Sequence, residues 1–391
     1  MRCIVYLEER FLRDKEGHYY SVVFGDEYWA RYLMVYDSVF VVARVESVSS
    51  DNLTAHHQII EDERITFRYL PYYKGPIQFL RRITGLISAL YRCVSEEGVH
   101  ILRLPGAIGT MALPFLLVKR RHFGIELVGD PNSVFSSGVG GFLSSVYKHI
   151  FTFLTRVACQ KATAVAYVTK SVMQGAYPAS STAFMTYYSS IQLSSELIVT
   201  SRIIKPYTNE HPFTILMVGS MEQRYKGFDL MVEALHILRS GGRNVIVKIA
   251  GAGAYQQELE QLATRLDVSK YVFFLGMVSR SCVLSLMDEA DLFVMPSRTE
   301  GLPRALIEAM ARGLPAIGSD VGGIPELLEQ KFIFKSGDYA QLAVMIDELM
   351  DDAVLMQSMS NSNISTARSY EISVLRARQH DFYTYLLDAN G

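Results

Sequence analysis

The sequence predicts an α/β protein of two domains, each built on a parallel sheet. Three observations carry that prediction. The chain has 391 residues, more than one hydrophobic core usually sustains. Short apolar runs alternate with amphipathic stretches along both halves, the pattern of βα units. An interval over residues ~179 to 211, rich in Ser, Thr and Tyr and holding His211-Pro212, separates the two alternating halves as a linker would.

The N-terminal half opens with Met-Arg-Cys-Ile-Val-Tyr-Leu-Glu-Glu-Arg. Its charges arrive too early for a signal-peptide core, which predicts a cytoplasmic protein. Val39 to Val45 reads as a strong strand, and Ile101-Leu102, Ile125 to Val128 and Val165 to Val168 as others. Helices are expected over Tyr28 to Tyr36, Pro76 to Cys93, Ala107 to Arg121 and Leu143 to Cys159. Two of these are basic and amphipathic. One has Leu80, Ile83, Ile87 and Leu90 on one face with Arg81, Arg82 and Arg92 elsewhere. The other has Leu143, Val146, Ile150, Leu154 and Val157 with Lys148, His149 and Arg156. Such faces pack on a sheet or lie on an anionic membrane surface at the inner side of the cell membrane.

The C-terminal half alternates more cleanly. Strands are expected at Ile215 to Val218, Val245 to Ala250, Val272 to Leu275, Leu292 to Met295 and Ala316-Ile317. Helices are expected at Phe228 to Leu238, Tyr255 to Leu266, Val283 to Glu289 and Pro303 to Arg312, with a last one from Glu371 to Leu387. Parallel sheets bind ligands at the carboxyl ends of their strands. The loops after Val218, Ala250, Leu275 and Met295 should therefore line a site. The predicted domains are residues 1–200 and 201–370, with a helix over 371–391 packing back toward the first.

Composition narrows the function. Hydrophobic residues make up 49% and charged residues 20% of the chain, which is globular rather than disordered. A net charge of -2 leaves no electrostatic footprint for nucleic acid. Mean hydropathy is high, +0.15, yet no run of ~18 apolar residues would span a bilayer. Cys3, Cys93, Cys159 and Cys282 form no CxxC pair and no zinc pattern, so they read as reduced thiols without a metal. Gly251-Ala-Gly253 lacks the third glycine of a dinucleotide fingerprint, because position 256 is Gln.

The most informative segment runs from Met295 to Gly313. A strand ends at Met295, a loop carries Glu300, Pro303 suits a first helical position, Glu308 lies about one and a half turns inside the helix, and Gly313 stops it. Free amides and the positive end of a helix dipole suit a diphosphate, and Arg304 adds charge. Carboxylates on either side suit hydroxyl groups, as acidic residues bind a ribose. A nucleotide sugar presents sugar hydroxyls, diphosphate and ribose hydroxyls in that order.

Those flanks resemble glycosyltransferase family 4. The resemblance covers about Phe213 to Leu328 and rests on three blocks. Glu300-Gly-Leu-Pro-Arg-Ala-Leu-Ile-Glu308 through Gly322-Gly-Ile-Pro-Glu326 is similar to the family's E-x7-E block. Val218-Gly219 through Lys226-Gly227-Phe-Asp-Leu is similar to its phosphate-lysine block. Ile249-Ala-Gly251-Ala-Gly253 with Phe273-Phe-Leu-Gly276 is similar to the third.

The resemblance implies a GT-B fold, two Rossmann-like domains with a cleft between them. It implies retaining transfer of a hexose-type sugar from a nucleoside-diphosphate sugar to a glycan or polyprenyl-linked oligosaccharide, as in surface polysaccharide biosynthesis. It implies no required metal or cofactor. Lys226 would pair with the donor phosphates, Glu300 bind the transferred sugar, Glu308 bind the ribose, and the amides around Gly301 and Leu302 hold the diphosphate beside Gly219. The family's arginine after that glycine is absent, its position being Ser220, and Arg224 is the candidate to replace it.

In the N-terminal half the resemblance is thinner. Gly17 stands where the family has a glycine-rich turn, and serves either a close loop approach or a plain turn. Asp130 stands near a family histidine that faces the sugar. It either touches donor or acceptor, as a candidate catalytic residue with Glu300, or organises the turn before Pro131. Arg103 is a second candidate rim. A nucleotide-sugar epimerase of the same fold and a non-catalytic scaffold are the rival readings.

Overall fold

The computed structural model describes residues 1–49, 53–54, 57–131 and 144–391. Contacts divide the chain into two units, one of Met1–Tyr188 with Arg376–Gly391 and one of Ser189–Leu375.

The first unit is a nine-stranded sheet. Its strands are β1 (Arg2–Arg13), β2 (Tyr19–Ser21), β3 (Ser38–Ser47), β4 (Gln58–Ile60), β5 (Ile65–Leu70), β6 (Val99–Leu104), β7 (Phe123–Leu127), β8 (Ala164–Tyr167) and β9 (Phe184–Tyr187). Seven run parallel in the order β5-β3-β1-β6-β7-β8-β9. β2 and β4 add an antiparallel edge beside the end of β1. The central strand β1 was not legible as a strand because Glu8, Glu9 and Arg10 interrupt its apolar run. The structure gives Glu8 partners: Arg44 pairs with it, and it accepts the Ile108 amide at 3.0 Å, near the start of the helix Ala107–Val118. A carboxylate there also meets the positive end of the helix dipole.

Helices Gly75–Ser95, Ala107–Val118 and Ser144–Lys161 share a core with this sheet, through Leu86, Leu90, Val94, Leu113, Leu116 and Ala158 among others. Each fully buried leucine contributes about 1.5–3 kcal/mol. The first of them splits the face read from sequence. Leu90 is buried and Ile83 half-buried, while Leu80 and Ile87 are exposed. On the third helix, Ile150 is exposed, whereas Leu143 and the side chain of Val146 lie outside the described residues. Among the described residues, no helix is long and apolar enough to cross a membrane.

The second unit is a six-stranded parallel sheet in the order β12-β11-β10-β13-β14-β15. Its strands are β10 (Phe213–Val218), β11 (Val245–Ala250), β12 (Val272–Phe274), β13 (Leu292–Met295), β14 (Ala316–Ser319) and β15 (Ile333–Phe334). The order reverses between β10 and β13, the switch point at which such sheets open for ligands. The helix Phe228–Ser240 buries Phe228, Leu230, Met231, Val232, Ala234, Leu235 and Leu238.

The division between units falls at 188/189 rather than at 200/201. β9 occupies part of the interval read as a linker, and the residues after it belong to the second unit, where the Val199 amide bonds to the Ala311 carbonyl at 2.9 Å. The helix Ile372–Asp388 contributes its body to the first unit. There Tyr383 reaches Glu126 at 2.7 Å.

Candidate active site

The site forms where the loops after β10 and β13 meet. After β10 the chain passes Gly219 and Ser220 into a short turn, Arg224–Lys226. Gly227 follows with φ +69°. A Cβ at Gly227 would lie 1.9 Å from the Pro296 carbonyl oxygen, so only glycine lets the two loops approach this closely. Arg298 then staples them. Its guanidinium makes two bonds to Asp229, both 2.8 Å, and a third to the Arg224 carbonyl at 3.0 Å. This fork–fork geometry is the strong form of a carboxylate contact.

The loop after β13 delivers Glu300 and then the helix Arg304–Ala311, with Pro303 one residue ahead of it as the N-cap. The loop after β14 supports Glu300 from behind. The Gly323 amide bonds to the Gly301 carbonyl at 2.7 Å. A Cβ at Gly322 (φ +55°) would sit 2.1 Å from the Glu300 carbonyl oxygen. The glycine pair of the E-x7-E block therefore has a packing cause.

Lys226 and Glu300, 74 residues apart in sequence, form an ion pair, and the Ser297 hydroxyl donates to the same carboxylate oxygen at 3.2 Å. Their side chains are mostly buried, 18% and 10% exposed. They line a cavity of about 610 Å³ together with Gly219, Ser220, Leu302, Arg304 and Glu308. One cavity wall thus carries a lysine, a carboxylate, a helix start with its arginine, and a second carboxylate. Burial pushes the Glu308 carboxyl above the ordinary range, and Arg280 and Arg304 oppose it. The Arg280 guanidinium stands 3.5 Å from Glu308 and donates to the Gln192 carbonyl. Sequence reasoning missed Arg280 and the wall formed by Ser190, Ile191 and Gln192, because nothing local marks either. It also missed Arg298.

Other candidates fall elsewhere. Arg224 does not line the cavity; it pairs with Glu258 and lies 5.2 Å over the Tyr255 ring. Gly301 turns its carbonyl to the β14 loop and is not part of the lining. Ala252, inside the Gly251-Ala-Gly253 run, accepts the Met221 amide at 2.9 Å, tying the loop after β11 to the loop after β10.

In the first unit, Arg103 points inward rather than forming a rim, because it donates to the buried Glu126 at 2.9 Å. Asp130 accepts the Tyr177 hydroxyl and lines a separate cavity of about 560 Å³ with Lys148, His149 and Arg156. Gly17 sits in the β1–β2 turn with φ +100°. There Asp14 accepts the His18 amide at 2.9 Å and the Tyr20 hydroxyl at 3.0 Å. Burial opposes the Asp14 charge, but these bonds overcome it and hold its carboxyl at about 2. Asp14, Glu16 and His18 could together hold a metal ion; their bonds to one another already account for the turn.

Residues 201–366 match the family model described as glycosyl transferases group 1. Protein CapJ of Staphylococcus aureus is 24% identical over 85% of this chain and 82% of its own length. The amylovoran biosynthesis glycosyltransferase AmsK of Erwinia amylovora is 34% identical over 34% of this chain and 35% of its own. Among solved structures, Anabaena HepE in complex with UDP superposes with a TM-score of 0.66 at 16% identity, covering 98% of this chain and all of that one (100%).

Proposed function

We propose that the chain, a glycosyltransferase with the GT-B fold, moves a hexose-type sugar with retention from a nucleoside-diphosphate sugar to a glycan or polyprenyl-linked oligosaccharide in surface polysaccharide biosynthesis. The observation that carries this reading is the shared cavity of Lys226, Glu300 and Glu308 around one helix start. Lysine and arginine beside free amides suit a diphosphate. The flanking carboxylates suit hydroxyls at either end of it. HepE, whose structures hold UDP or UDP-glucose, makes a uridine donor the first to try. The curated relatives named for amylovoran and colanic acid biosynthesis support the polysaccharide setting. Retention is what the E-x7-E block implies by resemblance.

In this reading Lys226, Arg304 and the helix amides take up the charge that develops on the leaving diphosphate, the largest catalytic effect such a site supplies. Glu300 and Glu308 fix the sugar and ribose and so hold the reacting carbon in place. Asp130 is a proposed contact to donor or acceptor. The reading requires no metal.

A membrane-surface location belongs to the same reading. Ile77, Leu80, Ile87 and Tyr91 form an exposed stripe along the helix Gly75–Ser95. Arg81 and Arg92 flank it, and the helix holds no acidic residue. Lys119 from the neighbouring helix end lies 4.5 Å over the Tyr91 ring. An apolar stripe beside basic charge suits an anionic lipid surface, where a polyprenyl-linked acceptor resides.

The test is a thermal-shift screen of UDP, GDP, ADP and their sugars, followed by incubation of the best donor with and without acceptor glycans. A bound nucleotide raises the melting temperature by mass action. Conversion of the donor without acceptor would instead mark an epimerase, and no nucleotide binding at all would mark a scaffold.

A further inference from the structure

Arg280 occupies the first position of the helix Arg280–Glu289, after Ser279, whose side chain caps the helix by accepting the Cys282 amide at 3.3 Å. Nothing in that local structure requires an arginine. Its guanidinium leaves its own helix and bridges two walls of the donor cavity, the Gln192 carbonyl on one side and Glu308 on the other. We propose that Arg280 is a positioning residue of the nucleotide site: anchored on Gln192, it keeps the Glu308 carboxylate ionised and turned to the cavity, ready to accept ribose hydroxyls. The proposal rests on the nucleotide reading given above and adds to it the residue that sets the state of one of its carboxylates.

The chemistry explains why that state matters. A carboxylate only accepts, whereas a protonated carboxyl has turned one of its positions into a donor. Two ribose hydroxyls donating to one side chain therefore need the ionised form, and bonds to it are roughly twice as strong as neutral ones. Glu308 is mostly buried, 20% exposed at its side chain, and burial favours the neutral form. The charges that bear on it are few. Arg280 acts from the neighbouring helix and Arg304 from one turn earlier on its own helix. Arg312, one turn later, is held by Asp288 at 2.7 Å, and Lys226 by Glu300.

The spacing is also informative. At 3.5 Å the guanidinium is close enough to favour the charge but does not close a two-pronged fork on the carboxylate. Glu308 therefore keeps acceptor positions for a ligand. The bond to Gln192 holds the arginine in place when Glu308 turns to that ligand.

Two measurements test this on the full chain. Carbon-13 NMR of glutamate-labelled protein follows the Glu308 carboxyl, assigned by its absence in Glu308→Gln. In Arg280→Gln that carboxyl should titrate at higher pH than in the wild type, and Arg280→Lys should restore it. Calorimetric titration with UDP and GDP from pH 5.5 to 8.5 gives the functional side. Arg280→Gln should bind several-fold more weakly at pH 5.5, and the gap should narrow to within about twofold at pH 8.5, as protonation of a single group dictates. Glu308→Gln should bind weakly and without that pH dependence. A carboxyl unmoved by Arg280→Gln, or an affinity loss of the same factor at every pH, overturns the role of Arg280 while leaving the nucleotide site standing. Wild-type protein that binds neither nucleotide overturns the nucleotide reading, and the role of Arg280 with it.

Discussion

Replacing Glu126 by glutamine should unfold the first unit far more easily than any surface change. Glu126 lies on β7 with 1% of its surface exposed. It accepts Tyr32 at 2.9 Å, Arg103 at 2.9 Å, Tyr188 at 2.9 Å and Tyr383 at 2.7 Å. Burial works to raise its carboxyl, but Arg103 first, then Arg31 and the tyrosine hydroxyls, leave it below the ordinary value. Glutamine keeps the shape but removes the charge, so Arg103 stays buried without its counter-ion. Breaking a buried pair from one side costs about 3–5 kcal/mol. Each of the Tyr→Phe changes at 32, 188 and 383 keeps the ring and loses one bond to a charged group, about 1.5–3 kcal/mol.

The assay follows from the sequence. The chain has one tryptophan. That residue, Trp29, is buried in the first unit with its ring 5.7 Å from Tyr32. Its fluorescence in guanidinium therefore reports this unit alone, which matters because a two-unit chain need not unfold in one step. The sign of the pH effect is fixed as well. A carboxyl lowered in the folded state binds fewer protons there, so its stabilisation is complete above the unfolded value of about 4.5 and disappears as pH falls through the lower folded value. Glu126→Gln should lack that part of the acid dependence. A cost below about 1 kcal/mol for Glu126→Gln, far under the 3–5 expected of a broken buried pair, or an unchanged acid profile, would refute the reasoning.

Three further outcomes are expected. Lys226→Ala should weaken UDP binding by about tenfold to a hundredfold, the worth of one charged contact, and should lower the melting temperature of the unliganded protein, because the mostly buried Glu300 loses its cation. Gly227→Ala should destabilise the second unit, read by circular dichroism during thermal unfolding, because the added methyl meets the Pro296 carbonyl 1.9 Å away. Leu80→Glu should abolish co-sedimentation with phosphatidylglycerol vesicles without altering thermal stability, since Leu80 is 63% exposed; sedimentation equal to the wild type would remove the membrane reading.

What could be read from the sequence was what short stretches of chain determine. Strand, loop and helix follow one another within about twenty residues at Lys226 and again at Glu300, so their residue types and spacing carry the local geometry. That the two loops meet follows from the strand order, β10 beside β13, which βα alternation alone does not fix. Arg280 and Arg298 were not legible, because each is an ordinary arginine until folding brings Glu308 or Asp229 to it. The first unit hid more. Its central strand β1 carries charges that look like surface and are used inside, Glu8 on Arg44 and on a helix start. Arg103 sits at the carboxyl end of β6, where a rim residue belongs, yet the carboxylate that claims it is on the next strand. Tyr383 meets Glu126 across 257 residues, a distance over which no local pattern speaks. β9 looked like linker because its residues are half-exposed edge.

The resting charges of the cavity constrain how it can work. Lys226 is paired with Glu300 and Arg280 with Glu308, while Arg298 and Arg224 are committed to Asp229 and Glu258 outside the lining. In the proposed reading a diphosphate meets Arg304 at the helix start but does not find Lys226 free. It must take Lys226 from Glu300, and the sugar hydroxyls must replace the lysine on Glu300 in the same event. Each partner lost is matched by one gained only when diphosphate and sugar arrive joined at the right spacing. A bare diphosphate would take Lys226 and leave Glu300, mostly buried, with the Ser297 hydroxyl but no cation, and a buried charge without its counter-ion is costly. The ion pair thus favours an intact nucleotide sugar over its fragments. Glu300→Gln, which removes the competitor for Lys226, should therefore bind UDP alone more tightly than the wild type while losing its preference for UDP-sugar over UDP; unchanged UDP affinity would refute the coupling.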